Sequence, residues 1–134
     1  IYTDGSCLAA NSASARAGLG VYYGPNNPHN LAARIVGPQR NNRAELYAIL
    51  AAIQHSTSTR RLELFSDSTY TIQSIVYGAG DNYQCNWDCP NGDLLKVITS
   101  WIASRPSTIV LTHVQSHTGN AHNDAADLLA KQGA

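Results

Sequence analysis

The sequence predicts an α/β fold, a five-stranded mixed sheet with helices on both faces, and three observations carry that prediction. Three strand-length apolar runs open the chain; helix-spaced and strand-length runs then alternate, so that the order reads βββαβααβα. Turn-forming clusters divide the early strands, whereas helices join the later ones. The first three strands therefore form an antiparallel meander, and the last two run parallel to the first, the fourth beside it and the fifth beyond the fourth, through right-handed crossovers.

Residues 1–6 form the first strand, and residues 17–24 and 31–36 the next two, with Pro25-Asn26-Asn27-Pro28 turning between them. Residues 43–56 carry Leu46, Tyr47, Leu50 and Ile53 at helical spacing after the pair Asn41-Asn42, which suits a helix start. That start places Glu45 in the first turn. Residues 62–66 read as a strand running into Asp67, and the helix that follows presents Ile72, Ile75 and Val76 on one face. A Gly- and Asn-rich loop is expected over 78–92, then a helix bearing Leu94, Leu95, Ile98, Trp101 and Ile102. Residues 109–113 read as the last strand and 123–132 as the last helix.

At 134 residues with 43% apolar content, ten Gly and five Pro, the chain reads as a single globular domain, 1–134. No apolar run approaches the roughly 18–20 residues of a membrane span, and no signal-peptide pattern opens the chain, so no membrane association is expected. The chain begins in strand-like sequence and contains no Met. It reads as a domain of something longer, monomeric in itself, with any address signal elsewhere; localisation is unknown beyond an expected intracellular setting, nucleus or cytoplasm.

A formal charge of zero gives no general attraction to a polyanion, so nucleic-acid contacts would come from local patches. Arg40 and Arg43 flank Glu45 and are stronger candidates than Arg60 and Arg61, which read equally as solvated charges. Three cysteines, Cys7, Cys85 and Cys89, argue against a closed disulfide framework; free thiols are expected, with a Cys85–Cys89 staple as the alternative. Cys85 and Cys89 lack the second Cys or His pair of a zinc site.

Of the nine acids, four stand where strands end or helices begin: Asp4, Glu45, Asp67 and Asp127. Ligands in open α/β sheets bind beyond the carboxyl ends of strands, where the strand order reverses. Asp4 and Asp67 are expected there, on neighbouring parallel strands. Carboxylates that close repel each other and take up protons unless cations intervene. Hard oxygen donors without a thiolate favour Mg²⁺ or Mn²⁺ over zinc. Each acid singly also has an ordinary structural role: Asp4-Gly5 as a turn, Asp67 as an N-cap, Glu45 as a favourable charge at a helix start, Asp127 as an exposed helix residue.

The order and surroundings of these acids resemble ribonuclease H of type 1, the family that cuts RNA in RNA–DNA hybrids. The matching segments are Tyr2-Thr3-Asp4-Gly5-Ser6, residues 17–25, Asn41-Asn42-Arg43-Ala44-Glu45-Leu46, Asp67-Ser68, and Ser116-His117-Thr118-Gly119 followed by Asn123 and Asp127-Leu128-Leu129-Ala130. The resemblance covers nearly the whole chain and implies the ribonuclease H-like fold.

Residue by residue, it implies metal-binding catalytic carboxylates at Asp4, Glu45, Asp67 and Asp127. Asp124 is the rival for the last, but Asp127 has the matching spacing of ten from the loop histidine. Asp4 would bridge two ions, Asp127 complete one site, and Glu45 and Asp67 the other. His117 matches the mobile histidine that assists proton transfer or product departure, although a lone loop His is often merely solvated. The implied cofactors are two Mg²⁺ ions, with Mn²⁺ as substitute, about 3.5–4 Å apart. The implied products carry 5′-phosphate and 3′-hydroxyl ends. The backbone around Ser6 and Cys7, the Glu45 carboxylate, and Ser68 or Thr69 would read the 2′-hydroxyl that distinguishes RNA from DNA. Asn11, Asn41 and Asn42 match minor-groove contacts, and Asn91 matches an asparagine near the DNA strand. Arg40 and Tyr70 complete the expected contacts, Tyr70 by stacking on sugars, as Tyr77, Tyr83 and Trp87 also could.

The chain also departs from the family pattern. Many relatives carry a basic, Lys- and Trp-rich protrusion that grips the DNA strand, yet residues 62–95 here contain no Lys, Arg or His. Pro38 and Arg40 replace the usual phosphate-pocket residues, and Ser116 replaces a common glycine. Weak, salt-sensitive hybrid binding is therefore expected. A covalently linked reverse transcriptase, as in retrotransposon polyproteins, or another hybrid-binding module would supply affinity. A non-catalytic hybrid-binding domain of a larger reverse-transcriptase-type protein is the alternative to an active nuclease. A transposase- or integrase-like transferase shares the fold but would lack this histidine loop.

Overall fold

β1 (Tyr2–Leu8) is the strand around which the sheet is organised: in the computed structural model, which describes all 134 residues, the order is β3-β2-β1-β4-β5. β2 (Arg16–Tyr22) and β3 (Leu31–Arg34) extend it on one side as the expected antiparallel meander. β4 (Leu62–Ser66) and β5 (Ile109–His113) extend it on the other side in parallel.

Alternation within β2 divides the two faces. Leu19 pairs with Gly5, and a Cβ on Gly5 would collide with the backbone of Ala44 and Glu45, so this face packs on α1 (Asn41–Gln54). Ala17, Leu19 and Val21 are buried there with Leu46, Ile49, Ile53 and Leu64. The opposite face presents Gly18 and Gly20, where a Cβ would strike the backbone of α5 (Ala121–Gly133). Small residues thus let a helix approach closely on each side.

Several boundaries differ from expectation. α1 begins at Asn41, so the asparagine pair lies inside the helix and Glu45 falls past the first turn; Arg40 is the cap, without a side-chain cap bond. β2 and β3 end at Tyr22 and Arg34, and the last helix starts at Ala121 behind an Asn120 cap. The cap after β4 is Ser68, whose Oγ accepts from the Thr71 amide at 3.1 Å, which leaves Asp67 uncommitted to that role.

α2 (Thr69–Ile72) runs into a π-helical turn, Gln73–Tyr77, closed by the Gly78 amide donating to the Gln73 carbonyl. The expected loop over 78–92 contains a further helix, α3 (Ala79–Gln84). The break before the next helix is marked by Asn86, Trp87 and Asn91, all with positive φ; Asn91 precedes α4 (Gly92–Ser104) without a side-chain cap bond. Trp87 is buried in the core, whereas Tyr77 and Tyr83 are exposed. All three cysteines are free thiols. No helix is long and apolar enough to cross a membrane.

Candidate active site

The sheet forks where β1 parts from β4. The two are paired at Tyr2 and Phe65, β4 ends at Ser66, and β1 continues to Leu8 against β2. Asp4 therefore stands in the interior of its strand, not at its end as expected, but just past the point where its parallel neighbour stops. Asp67 follows β4 directly, across the fork.

One oxygen from each of Asp4, Glu45 and Asp67 lies within 4.8 Å of the other two. The close approach of β1 and α1 at Gly5 is what brings Glu45 to Asp4. A side chain at position 5 would push them apart. The three acids open into a cavity of about 330 Å³ with no apolar residue in its lining, which Ser6, Asn41, Ser116, His117, Asn123, Asp124, Asp127 and Lys131 share.

Asp4 is only 4% exposed and Glu45 5%, so their charges are poorly hydrated. Burial, reinforced by the Asp67 charge, pushes the Asp4 carboxyl up to about 7, even though the Gly5 amide donates to its Oδ1 at 2.9 Å. Burial and then the Asp4 charge drive Glu45 well above the usual carboxylate range. Its Oε2 is buried without a hydrogen-bond partner. Buried acids with an unsatisfied oxygen require a proton or a cation. Hard oxygen donors at this separation fit a divalent cation of the Mg²⁺ or Mn²⁺ kind.

Asp127 lies on the same cavity but outside the close trio. Its Oδ2 accepts from Lys131 Nζ at 2.7 Å, one helical turn along α5. Asp67 is oriented by Asn123, buried at the start of α5, whose Nδ2 donates to Asp67 Oδ2 at 3.0 Å. Neither partner has a role in the sequence reading. The i,i+4 spacing of Asp127 and Lys131 is legible in the sequence; the Asn123–Asp67 contact spans 56 residues and has no local signal. His117 sits exposed on the cavity rim with φ of 55°, and Asp124 is also on the rim.

The expected substrate contacts divide into four groups. Ser6 and Asn41 border the carboxylate cavity, and the Cys7 thiol donates to the Gln39 carbonyl at 3.3 Å. Asn11 and Arg40 line a neighbouring open groove of about 350 Å³, with Asn42 exposed nearby in sequence at the α1 start. Ser68 is occupied in capping and Thr69 is exposed. Tyr70 and Asn91 are joined, Asn91 Nδ2 donating to the tyrosine oxygen at 2.9 Å.

Arg43, a candidate for a local nucleic-acid-binding patch, is consumed by the fold. It is 8% exposed and forks onto both oxygens of Asp93 at 3.1 and 2.8 Å, with a further bond to Asn91 Oδ1 and its guanidinium over the Tyr47 ring. Arg40 remains exposed.

A sequence model of the family described as RNase H matches residues 1–134. Ribonuclease H1 of Homo sapiens is 34% identical over 140 residues, covering all of this chain and 49% of that protein. The chain thus spans about half the length of this relative. Ribonuclease H of Actinobacillus succinogenes is 32% identical over 138 residues, covering all of this chain and 88% of the bacterial protein. Among solved structures, the foamy viral protease-reverse transcriptase in complex with RNA/DNA hybrid superposes with a TM-score of 0.81 at 19% identity, over 98% of this chain and 19% of the viral one. At that identity the likeness concerns the fold.

Proposed function

The chain belongs to the ribonuclease H family, and on that premise we propose that it is an endoribonuclease that hydrolyses the RNA strand of RNA–DNA hybrids with the help of two Mg²⁺ ions. The observation that carries this reading is the trio Asp4, Glu45 and Asp67, three carboxylates within 4.8 Å in an apolar-free cavity, with one Glu45 oxygen unpartnered. Structural acids are seldom buried together without cationic partners.

Asp4, Glu45, Asp67 and Asp127 are the residues that would hold the ions, which supply water activation and charge stabilisation on the leaving oxygen when bound. Asn123 fixes the direction in which Asp67 presents its free oxygen. His117 lies on the exposed rim of the cavity and would pass a proton to the 3′ oxygen as it departs. The net reaction joins a water oxygen to phosphorus and breaks the bond to the 3′ oxygen, giving 5′-phosphate and 3′-hydroxyl ends. Foamy viral protease-reverse transcriptase, which shares the fold, has been solved with an RNA/DNA hybrid, and a hybrid lying along the cavity and the Asn11–Arg40 groove is the substrate that fits this reading.

The test is cleavage of labelled RNA–DNA hybrid, RNA–RNA and DNA–DNA duplexes in Mg²⁺, Mn²⁺ or EDTA. Metal-dependent cutting of the hybrid's RNA alone, lost in Asp4→Asn and Asp67→Asn, is the expected result. Hybrid binding without cutting would sink the enzyme reading.

A further inference from the structure

Asp127 differs from the other three acids in already having a cation. Asp4, Glu45 and Asp67 converge without a basic side chain, whereas the Asp127 carboxylate is held by the Lys131 ammonium at 2.7 Å inside the same cavity. The pair is joined along one helix, so it forms wherever α5 forms. Lys131 is half exposed and its stem is free to swing, but the ammonium has to leave, or tolerate, any second cation that takes Asp127.

Resting on the two-cation reading above, we propose that Lys131 is a positioning residue that grades the two cation positions. The position formed by Asp4, Glu45 and Asp67 fills first. The position that needs Asp127 fills second, because a divalent ion must there displace the Lys131 ammonium from the carboxylate. The separation is modest by nature: a partly exposed i,i+4 pair holds its partner weakly, which sets the expected penalty on the second ion at about three- to fivefold in affinity.

The experiment uses the whole 134-residue chain and does not involve catalysis. Backbone amide signals of ¹⁵N-labelled protein are followed during Mg²⁺ titration, those of Asp4 and Glu45 reporting one position and those of Asp127 and Leu128 the other. Wild type is expected to show two midpoints. Lys131→Met should lower the second midpoint about three- to fivefold and leave the first in place, while Lys131→Arg keeps the wild-type order. Asp127→Asn should remove the second midpoint alone. Two midpoints that do not move in Lys131→Met overturn the role of Lys131 and leave the two-cation reading standing. Absence of any second midpoint in both wild type and Lys131→Met overturns the two-cation reading and the role of Lys131 with it.

Discussion

Asn123 donates to Asp67 across 3.0 Å from a side chain that is 2% exposed. The bond ties the first turn of α5 to the residue that follows β4, and it holds one oxygen of Asp67 while the carboxylate keeps its place beside Asp4 and Glu45. Groups that orient a metal ligand commonly matter about 10- to 100-fold in metal affinity or activity. Asn123→Ala should therefore lower hybrid cleavage by about tenfold or more, with recovery at raised Mg²⁺ concentration. Its own fold penalty should be small, about 1–2 kcal/mol in urea unfolding. Unchanged cleavage at limiting Mg²⁺ would show that Asp67 needs no such tether.

Without cations, the protein should lose stability as pH rises through neutrality. The folded chain holds a proton on Asp4 up to about pH 7, while the unfolded chain releases it near the ordinary value of 3.8. Between those values the folded state binds more protons, so raising pH favours unfolding. The stabilisation is complete below about pH 4 and gone above about pH 7, and its size is of order 2–4 kcal/mol. Glu45, shifted the same way, extends the effect upward. Thermal melts in EDTA should fall between pH 5 and 8. Asp4→Asn should flatten that slope and raise the midpoint at pH 8, and Mg²⁺ should restore wild type but not the variant. A flat profile in EDTA would mean that the carboxylates are hydrated well enough to ionise freely.

Arg43 illustrates which part of the site the sequence does not show. Its position beside Glu45 reads as part of a nucleic-acid-binding patch, but the partner that claims it, Asp93, lies 50 residues away on α4. Arg43 sits above the Tyr47 ring and donates to Asn91 as well. Removing it should destabilise the fold by about 1–3 kcal/mol, since Asn91 and Asp93 at the start of α4 lose their partner. Arg43→Lys cannot reproduce the fork and should recover less than half of that loss. Asp93 is mostly exposed, so Asp93→Ala should cost less than Arg43→Ala in the same denaturant series. Equal losses would place the energy in the ion pair alone.

What the sequence does show follows the same division between local and distant signals. β1 to β5 and α1, α4 and α5 are carried by periodicity, which needs only neighbours along the chain. The four acids stand out because each sits beside a recognisable element end or motif. The mid-strand setting of Asp4 is not legible in that way: β1 gives no local sign that β4 stops at Ser66, so only the assembled sheet shows the fork. α3 is not legible because Gly80, Asp81 and Asn82 have low helix propensity, and the burial of Trp87 anchors the segment regardless. Lys131 lay in reach, four residues from Asp127, whereas Asn123 and Arg43 were settled by contacts that no window of sequence contains.

The consumption of Arg43 also sharpens the expectation of weak hybrid binding. Residues 62–95 carry no basic side chain, the net charge is zero, and the one buried arginine beside the site is already paired. Arg40 at the α1 start is left as the exposed cation bordering the Asn11 groove. Affinity should then depend on few phosphate contacts, and the logarithm of the binding constant should fall with that of salt at a slope of about −1 to −3. Fluorescence anisotropy with a labelled hybrid, using Asp67→Asn to prevent cleavage, measures this between 50 and 200 mM salt, a range set by the slope relation. Asp81→Lys on α3 and Asp88→Lys beside Trp87 are both exposed changes that create a basic surface in the segment that has none. Together they should tighten binding about tenfold or more at low salt and steepen the slope by about 1–2 units. If affinity rises without a steeper slope, the added lysines act through the fold and not through phosphates; if neither changes, the hybrid does not pass over α3.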